Sequence, residues 1–513
     1  MGEKEVTFSN RDRDVFLISL NRGIDKGALI SRYSRAAALD IREVYDREFA
    51  ENPDRGSEFY RRVFSEYGDE SIAELITAQL GIQNVSNVVT KTMEEQRIGL
   101  SFIEKSSRYV RYDRKGTDGY LYMKPEKIGI SGRPAAEYTD LCDSLFSIYA
   151  RSYDPLKKMI VEMYPAESCV FTSRSSGASA DLESMDPEER KLALKAYDTA
   201  VRARALDDLR FLLPASTLTN LGVSGNARSF AYLIAKLSVS SLQEARLLGK
   251  NIHDELKSEF AEILQSVDSI SQREAAIAVD HNQDFKGLED SFSDSRVRLI
   301  GFNPEDEELR RMGVALSISN GLHQDFRRDQ TKSSIRKASE NRRSRRDKPG
   351  REFEIPAYQF VISTNYGAFR DLQRHRMMTT IRSTLDPGSG YDIPELIAKN
   401  DSLLSEFTSL MMRAAEVWKL VKESSGSQVA QYCVPYAYRY PVFVSINMRE
   451  LVHFTELRST PQAHYDLRHV SADMYREVTR VHPNIAVIAK FVDTKEYPLG
   501  RIFSEFKKEK RLA

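Results

Sequence analysis

The stretch Leu372-Gln373-Arg374-His375-Arg376-Met377-Met378-Thr379-Thr380 follows a partly alternating segment, Tyr358-Gln359-Phe360-Val361-Ile362-Ser363. Alternation of apolar and polar residues is typical of a half-buried β-strand. The tripeptide Arg374-His375-Arg376 suits no apolar core, because guanidinium groups favour planar, bidentate contacts with phosphates or carbonyl-rich rings. The sequence therefore predicts a strand that leads either to a solvated charge cluster at a helix end or to a site for such a ligand.

Composition indicates a globular chain of two to four domains. The 513 residues include 75 Lys plus Arg and 75 Asp plus Glu, and 41% of them are hydrophobic. Zero net charge does not point to nucleic acid or a membrane, and no apolar run approaches the ~18 residues of a membrane span. The first residues lack a signal-peptide pattern, and three distant cysteines fit a reducing compartment without metal-ligand spacing. We expect a cytoplasmic protein with no metal.

Two pairs of similar segments indicate an internal repeat. Residues 15–21 are echoed by residues 297–303 as strand-like segments, and Asn226-Ala227-Arg228-Ser229 is echoed by Asn447-Met448-Arg449-Glu450 before an apolar helix. The two echoes are spaced differently, which indicates an insertion in the first copy within about residues 113–200. The sequence predicts two copies of one domain, residues 1–275 and 290–513. Helices are expected at about residues 187–213, 227–238 and 242–266.

A strongly basic stretch occupies residues 327–351. Blocks of like charge repel and stay open, so one interpretation is a solvated loop. The other is an anion funnel for phosphates. Phe326 is the nearest aromatic residue, so the stacking platform that a nucleic-acid groove needs is missing.

The second half offers further polar side chains near the tripeptide. Asn447 and Arg458 are eleven residues apart, which places them on one face of a helix at about 100° per residue. An Asn and an Arg on one face can hold a phosphate and a ring together. His453 fits either a satisfied core histidine or a ligand contact.

The first half contains Glu104-Lys105-Ser106-Ser107-Arg108-Tyr109. A turn with two hydroxyls and an Arg exposes donors that suit a phosphate monoester. The alternative is the last turn of a helix with an Arg at the negative end of its dipole. Arg210, four residues before Pro214, adds another cation.

Together these motifs resemble the flavin-dependent thymidylate synthase family, in a diverged and tandem form. The family signature is Arg-His-Arg, five residues, then Glu-x-Ser-x-Arg-Tyr, with a later Ala-Arg-x-x-Leu-Pro and an Asn followed by Arg eleven residues on. The first half keeps Glu104, Ser106, Arg108, Tyr109 and Arg210, but has Gln96-Arg97-Ile98 and Leu237 in the other slots. The second half keeps Arg374-His375-Arg376, Asn447 and Arg458, but has residues 382–387 and Ala430-Gln431 in its remaining slots.

The resemblance implies an α+β fold in which each copy is a twisted, antiparallel-rich sheet packed with long helices. It implies reductive methylation of dUMP with FAD, NADPH and methylenetetrahydrofolate. Because each half lost what the other kept, we expect one composite site, with a homodimer taking the place of the family's homotetramer. The implied flavin residues are Arg374, His375, Arg376, Asn447 and His453. The implied nucleotide residues are Glu104, Ser106, Ser107, Arg108, Tyr109, Arg210 and Arg458.

Within that site, the resemblance implies that Arg458 polarises the uracil carbonyl as negative charge develops on the ring. Ser106 orients the nucleotide. Two alternatives stay open: a paralogue that binds flavin or nucleotide without thymidylate synthesis, and a flavoenzyme for another pyrimidine nucleotide. Asp69 and Asp371 support them, since the family has His and Gln at these positions. A carboxylate beside a phosphate is unfavourable unless it is paired.

Overall fold

The alternating segment at 358–363 forms a strand in a protein of helices and small antiparallel sheets. The computed structural model describes residues 7–37, 40–52, 54–67, 70–172, 179–278, 296–319, 321 and 327–512. Over those ranges, no helix combines the length and the apolar character that a membrane span requires. Asp69, which supported one alternative above, lies outside the described residues.

The strands are β1 Thr77–Ser86, β2 Leu100–Glu104, β3 Lys115–Gly116, β4 Gly119–Tyr120, β5 Phe171–Thr172, β6 Ser179–Ala180, β7 Leu218–Asn226, β8 Val297–Gly301, β9 Ala357–Asn365, β10 Thr379–Arg382 and β11 Arg439–Asn447. The helices are α1 Gly23–Tyr33, α2 Ile41–Glu48, α3 Arg55–Tyr67, α4 Asn87–Glu94, α5 Gly132–Met163, α6 Pro187–Leu209, α7 Ala227–Ser238, α8 Gln243–Leu264, α9 Val267–Ala278, α10 Glu305–Ser319, α11 Arg328–Asn341, α12 Tyr366–Leu372, α13 Glu395–Ala398, α14 Asp401–Ser425, α15 Ser427–Ala430, α16 Met448–Arg458, α17 Tyr465–Val481, α18 Pro483–Ala486 and α19 Ile502–Leu512.

One compact unit comprises residues 1–105, 126–129 and 218–284. Its three-stranded antiparallel sheet has the order β1-β7-β2. A side chain at Gly225 would lie 2.2 Å from the carbonyl oxygen of Gly99, so the close approach of β7 to the start of β2 requires glycine. At the end of β7, the Asn226 side chain accepts a hydrogen bond from the Ser229 amide at 2.8 Å and caps α7.

The other compact unit comprises residues 106–125, 130–217 and 285–513. Its four-stranded antiparallel sheet has the order β10-β11-β9-β8. Tyr358, Phe360 and Ile362 are fully buried on alternate positions of β9, as a strand packed on a core requires. Asn365 ends β9 and caps α12 by accepting from the Ala368 amide at 2.9 Å. The short α12 then delivers the chain to the Arg374-His375-Arg376 turn.

Two proline-containing segments pair within this second unit. The Ala215 amide donates to the Val434 carbonyl at 2.8 Å, and the Tyr436 amide donates to the Leu213 carbonyl at 2.9 Å. Both segments follow short 3-10 helices, which begin at Arg210 and Gln431. Residues 130–217 therefore pack with the second half of the sequence. Compactness and sequence repetition are different properties, so the copies at 1–275 and 290–513 stay a prediction.

The three helices predicted above occur, but the strand predicted near residue 17 does not. Helices expected at 187–213, 227–238 and 242–266 correspond to α6, α7 and α8. The segment expected as a strand near residue 17 forms only an isolated bridge between Phe8 and Ile18, and Leu17 is exposed.

The basic stretch is also not an open loop. It contains α11, and directly after this helix Arg342 forms a buried ion pair with both carboxylate oxygens of Glu456 at 2.7 and 2.6 Å.

Candidate functional site

The Arg374-His375-Arg376 tripeptide forms the turn between α12 and β10. Arg374 is two-fifths exposed and Met377 is 76% exposed, whereas His375 is buried. Arg376 is half-buried. The tripeptide therefore lies at a helix end, as one interpretation predicted, but its histidine is held inside the protein.

The hydrogen bonds of His375 fix its tautomer. The Arg458 Nε–H donates to His375 Nε2 at 2.8 Å, so Nε2 is an acceptor and Nδ1 carries the proton. That Nδ1–H faces the Glu450 carboxylate at 3.2 Å. Burial and the nearby Arg458 charge lower the pKa of His375 to about 3. His375 is therefore a neutral side chain that positions Arg458.

Asp371 lies among arginines that come from both halves of the sequence. Its carboxylate is 3.7 Å from Arg210, 3.7 Å from Arg374 and 3.8 Å from Arg458. The Arg458 Nη2–H also donates to the Asp371 carbonyl at 3.1 Å. Burial acts to raise the pKa of Asp371, but the surrounding arginines outweigh it and hold this pKa well below its usual range. Asp371 is thus a permanent anion at neutral pH.

Arg210 has donor groups without hydrogen-bond partners. It is 2% exposed, and in the described part of the chain neither its Nε nor its Nη2 makes a hydrogen bond. A side chain at Gly367 would lie 3.4 Å from Nε, so glycine leaves room beside this guanidinium. A buried donor without a partner costs free energy. Arg210 is therefore suited to bind a ligand acceptor.

The Ser106–Tyr109 segment forms a turn in the same compact unit. The Ser106 hydroxyl accepts from the Arg108 amide at 3.3 Å, and the Ser107 hydroxyl accepts from Arg370 at 3.3 Å. The Arg108 guanidinium already has a partner, because its Nε–H and Nη2–H donate to the two carboxylate oxygens of Asp207 at 2.7 and 2.8 Å. The expected phosphate ligand Arg108 thus already has a carboxylate partner.

Glu104 belongs to the other compact unit. It ends β2, and its carboxylate lies 3.2 Å from the Nζ of Lys91, which is also paired with Glu94. Both Lys91 and Glu104 side chains are buried. Within its own unit, Glu104 therefore has a structural ion pair.

Asn447 and Arg458 occupy opposite ends of α16. The Asn447 side chain accepts from the Glu450 amide at 2.9 Å and caps the helix, whereas Arg458 is its last residue. Eleven residues of helix span roughly 16 Å. If both side chains contact one ligand, they therefore meet distant parts of it.

His453 does not have the surroundings of a core histidine, because its residue is exposed on α16. Its ring centroid lies 5.5 Å from that of His375, and although the residue keeps access to solvent, partial burial of the imidazole lowers its pKa. His375, Glu450 and His453 offer ligand atoms within 4.8 Å of one another. Both ring nitrogens of His375 already have partners, so this geometry does not favour a metal ion.

Leu237 and Gln431, which stand where the family signature has arginine, make structural contacts. Leu237 is fully buried on α7. Gln431 occupies the start of its 3-10 helix as Arg210 does, and its amide oxygen accepts from the Leu385 amide at 3.0 Å. Neutral side chains with structural contacts therefore occupy both positions.

Sequence reasoning missed Asp207 and Arg501. Asp207 precedes Arg210 by three residues and could have been considered as a partner for the retained arginines. Arg501 lies directly before α19, in a segment with no motif to single it out. It is 5% exposed and approaches Asp207 at 3.8 Å.

The chain belongs to the family described as "Thymidylate synthase complementing protein", which matches residues 28–261 and 298–484. It is 47% identical over 503 residues to the UPF0159 protein Ta1429 of Thermoplasma acidophilum, with 94% of this chain and 98% of that relative covered. A flavin-dependent thymidylate synthase of Aeropyrum pernix is 30% identical over 93 residues, 18% of this chain and 29% of the relative. A crystal structure of the UMP/dUMP methylase PolB of Streptomyces cacaoi, bound with 5-Br UMP, aligns at a TM-score of 0.32 and 16% identity. That alignment covers 38% of this chain and 94% of the methylase chain.

Proposed function

We propose that this protein is a flavin-dependent methyltransferase of the thymidylate synthase type, acting on dUMP with methylenetetrahydrofolate and NADPH. The observation that carries the proposal is the cluster around Asp371. There Arg210, from the motifs kept in the first half, lies beside Arg374 and Arg458, from those kept in the second. Family membership and the shorter match to a flavin-dependent thymidylate synthase also support it.

The exposed part of the tripeptide turn fits a flavin. An isoalloxazine ring has an apolar face and carbonyl oxygens, and the turn presents the exposed Met377 beside the Arg374 guanidinium. Arg376, His453 and Asn447 would contribute to the same ligand, with Asn447 meeting a distant part of it. When bound, reduced flavin supplies a hydride and is regenerated by NADPH.

Arg458 is positioned to act on the pyrimidine. Its Nε–H is held by His375 and one Nη2–H by the Asp371 carbonyl, so its orientation is fixed. Among the residues that the structure describes, Nη1 makes one contact, the 3.8 Å approach to the Asp371 carboxylate, so it can donate to a ring carbonyl. A fixed cation costs no reorganisation when negative charge develops on that carbonyl. We infer that His375 positions this group and does not transfer a proton.

Asp371 constrains the orientation of the nucleotide. An ionised carboxylate and a phosphate dianion both lack hydrogen-bond donors, so Asp371 offers a phosphate no direct hydrogen bond. A uracil ring carries an N–H that can donate a hydrogen bond to a carboxylate. We therefore place the ring against Asp371 and Arg458, and the phosphate toward Arg108, with Ser106 donating its hydroxyl hydrogen to the nucleotide.

A second candidate keeps the chemistry and changes the nucleotide. Asp371 can also accept from a ribose 2′-hydroxyl, which dUMP lacks, and this contact would favour a pyrimidine ribonucleotide over dUMP. The two candidates are separated by supplying UMP and dUMP to the same enzyme and identifying the methylated product by mass. Tandem copies and a homodimer remain part of the proposal. The shared order of β1-β7-β2 and β9-β11-β10 supports the copies.

The test begins with the visible absorption spectrum of the purified protein. We expect bound FAD, NADPH oxidation that depends on a pyrimidine nucleotide, and a methylated product. Arg374→Ala should release most of the flavin, whereas Arg480→Ala, an exposed arginine on α17, should not. Arg458→Ala should lower turnover more than nucleotide binding, because its contact strengthens in the transition state.

Flavin binding without any nucleotide-dependent product would favour the paralogue that lacks thymidylate synthesis. Unchanged flavin content in Arg374→Ala would remove the assignment of the tripeptide.

A further inference from the structure

Arg501 is a buried cation without a hydrogen-bond partner. Its side chain is 5% exposed, and its Nε, Nη1 and Nη2 make no hydrogen bond to any described residue. Its guanidinium lies 4.2 Å from the centre of the Tyr109 ring. All three donor nitrogens of a buried guanidinium are therefore available, which is unusual because such groups are normally satisfied.

The carboxylate nearest to Arg501 is already in use. Asp207 approaches Arg501 at 3.8 Å, but both of its oxygens accept hydrogen bonds from Arg108. Burial acts to raise the pKa of Asp207, yet Arg108 and Arg501 hold this pKa far below its usual range. Two arginines therefore share the carboxylate of Asp207, and its hydrogen-bonding capacity toward guanidinium groups is used by Arg108.

Arg108 and Arg501 line one cleft, and a third arginine adds to its positive charge. Arg468 lines the same cleft as Arg108 and Arg501. Its Nε–H and Nη2–H donate to the main-chain carbonyls of Ser459 and Lys495, and it has no ion-pair partner among the residues that the structure describes. Arg204, also in the cleft, is neutralised by Asp208 and Glu395 at 3.6 and 2.9 Å.

We propose that the cleft formed by Arg108, Arg468 and Arg501 binds a phosphate monoester, with Arg501 and Arg468 as its additional ligands. A phosphate dianion would supply the missing negative charge and accept from the unused donors of Arg501. Neither the retained motifs nor the family match, which ends at residue 484, includes Arg501. The inference rests on the proposed function in one respect: the phosphate is taken to belong to the pyrimidine nucleotide.

The positions of the nearby charges are consistent with a phosphate in this cleft. Arg108 experiences the charges of both Asp207 and Asp371, so it lies near both carboxylates. A nucleotide that passes Arg108 would have its ring on the Asp371 side and its phosphate on the Arg501 side. The phosphate would then be bound in part by Arg501, which follows the family-matched segments.

The experiment measures binding of dUMP, deoxyuridine and inorganic phosphate to the full chain by calorimetry. Arg501→Met should weaken dUMP binding about ten- to a hundredfold, by loss of one charge-assisted contact. Deoxyuridine, which lacks the phosphate, should bind parent and variant equally. Arg511→Met, an exposed arginine in α19, is the matched control and should leave all three affinities unchanged.

Arg501→Lys keeps the charge and should restore part of the affinity, and Arg468→Met gives an independent reading if Arg501→Met does not fold. Equal dUMP affinity in parent, Arg501→Met and Arg468→Met would overturn the phosphate site while leaving the proposed function in place. Binding of inorganic phosphate that depends on Arg501, in a protein that does not bind dUMP, would support the site and refute the proposed nucleotide.

Discussion

Asp371 is the residue at which side chains from the two halves of the sequence meet. It neutralises part of the charge of Arg210, Arg374 and Arg458. Removing one partner from a buried ion cluster leaves uncompensated charge, which costs several kcal/mol. One carboxylate therefore both stabilises the cluster and restricts what it binds.

At the same scale, the buried His375 gives a prediction about pH. Its pKa is lowered to about 3 in the folded protein, against about 6.5 for an unfolded chain, because of burial and Arg458. Between these values the unfolded chain binds the proton and the folded protein does not. The contribution to stability is therefore present above pH 6.5 and is lost as the pH falls toward 3, by about 1.4 kcal/mol per pH unit.

His375→Gln should flatten this acid-side slope in urea unfolding between about pH 6 and pH 4. His469→Gln, at an exposed position, is the control and should keep the parental slope. Nitrogen NMR should show a neutral His375 protonated at Nδ1 throughout that range. A resonance that titrates near the ordinary histidine pKa would contradict the lowered pKa. A proton on Nε2 would contradict the tautomer derived from the Arg458 hydrogen bond.

At the scale of a single element, α16 sets the distance between two candidate ligands. Its length places Asn447 and Arg458 roughly 16 Å apart, so the helix can span one extended molecule but cannot concentrate both groups on one atom. Asn447 also has a structural task as the N-cap. Its effects on stability and on ligand binding must therefore be separated.

Asn447→Ala should lower the free energy of unfolding by about 1 kcal/mol through loss of the cap, and should also lower flavin content. Asn447→Asp keeps the cap acceptor but loses the amide donor, so it should retain stability and still lose flavin. Asn400→Ala removes a comparable cap from α14, where the Asn400 side chain accepts from the Leu403 amide at 3.0 Å. This control should lose similar stability with normal flavin content. Full flavin content in Asn447→Asp would leave Asn447 with the capping role alone.

At the scale of the whole molecule, the unit that holds the candidate site is discontinuous in sequence. Residues 106–125 and 130–217 belong with residues 285–513. The main-chain pairing of Leu213–Ala215 with Val434–Tyr436 and the Arg210–Asp371 approach both join distant segments. Cutting the chain between the predicted copies would therefore divide this unit.

The fragments 1–275 and 290–513 give the corresponding prediction. Expressed alone, residues 290–513 lose Arg210, one of the three arginine partners of Asp371, and the main-chain partner of the Val434–Tyr436 segment. This fragment should show poor cooperativity in thermal unfolding and no nucleotide binding. Co-expression of the two fragments is the control and should restore part of the activity. Turnover by either fragment alone would contradict a composite site.

Local patterns in the sequence determined the helices α6, α7 and α8, the strand β9, and which motifs each half retained. Such features depend on residue periodicity and residue type, which are read over a few neighbouring positions. The sequence also indicated that residues of the two halves act together, because each half lacked what the other kept. It did not indicate that Arg342 would be buried, since a charged residue is expected in solvent unless its partner is known.

Only the tertiary structure decided the partners of the candidate ligands. Arg108 meets Asp207 across 99 residues of sequence, His375 meets Arg458 across 83, and Arg501 lies directly before the last helix with no motif around it. Such pairs form because packed segments bring distant charges together, and burial then makes each unpaired charge costly. The sequence contains these residues but does not show that they lie close together. The charge balance of the site therefore follows from the fold.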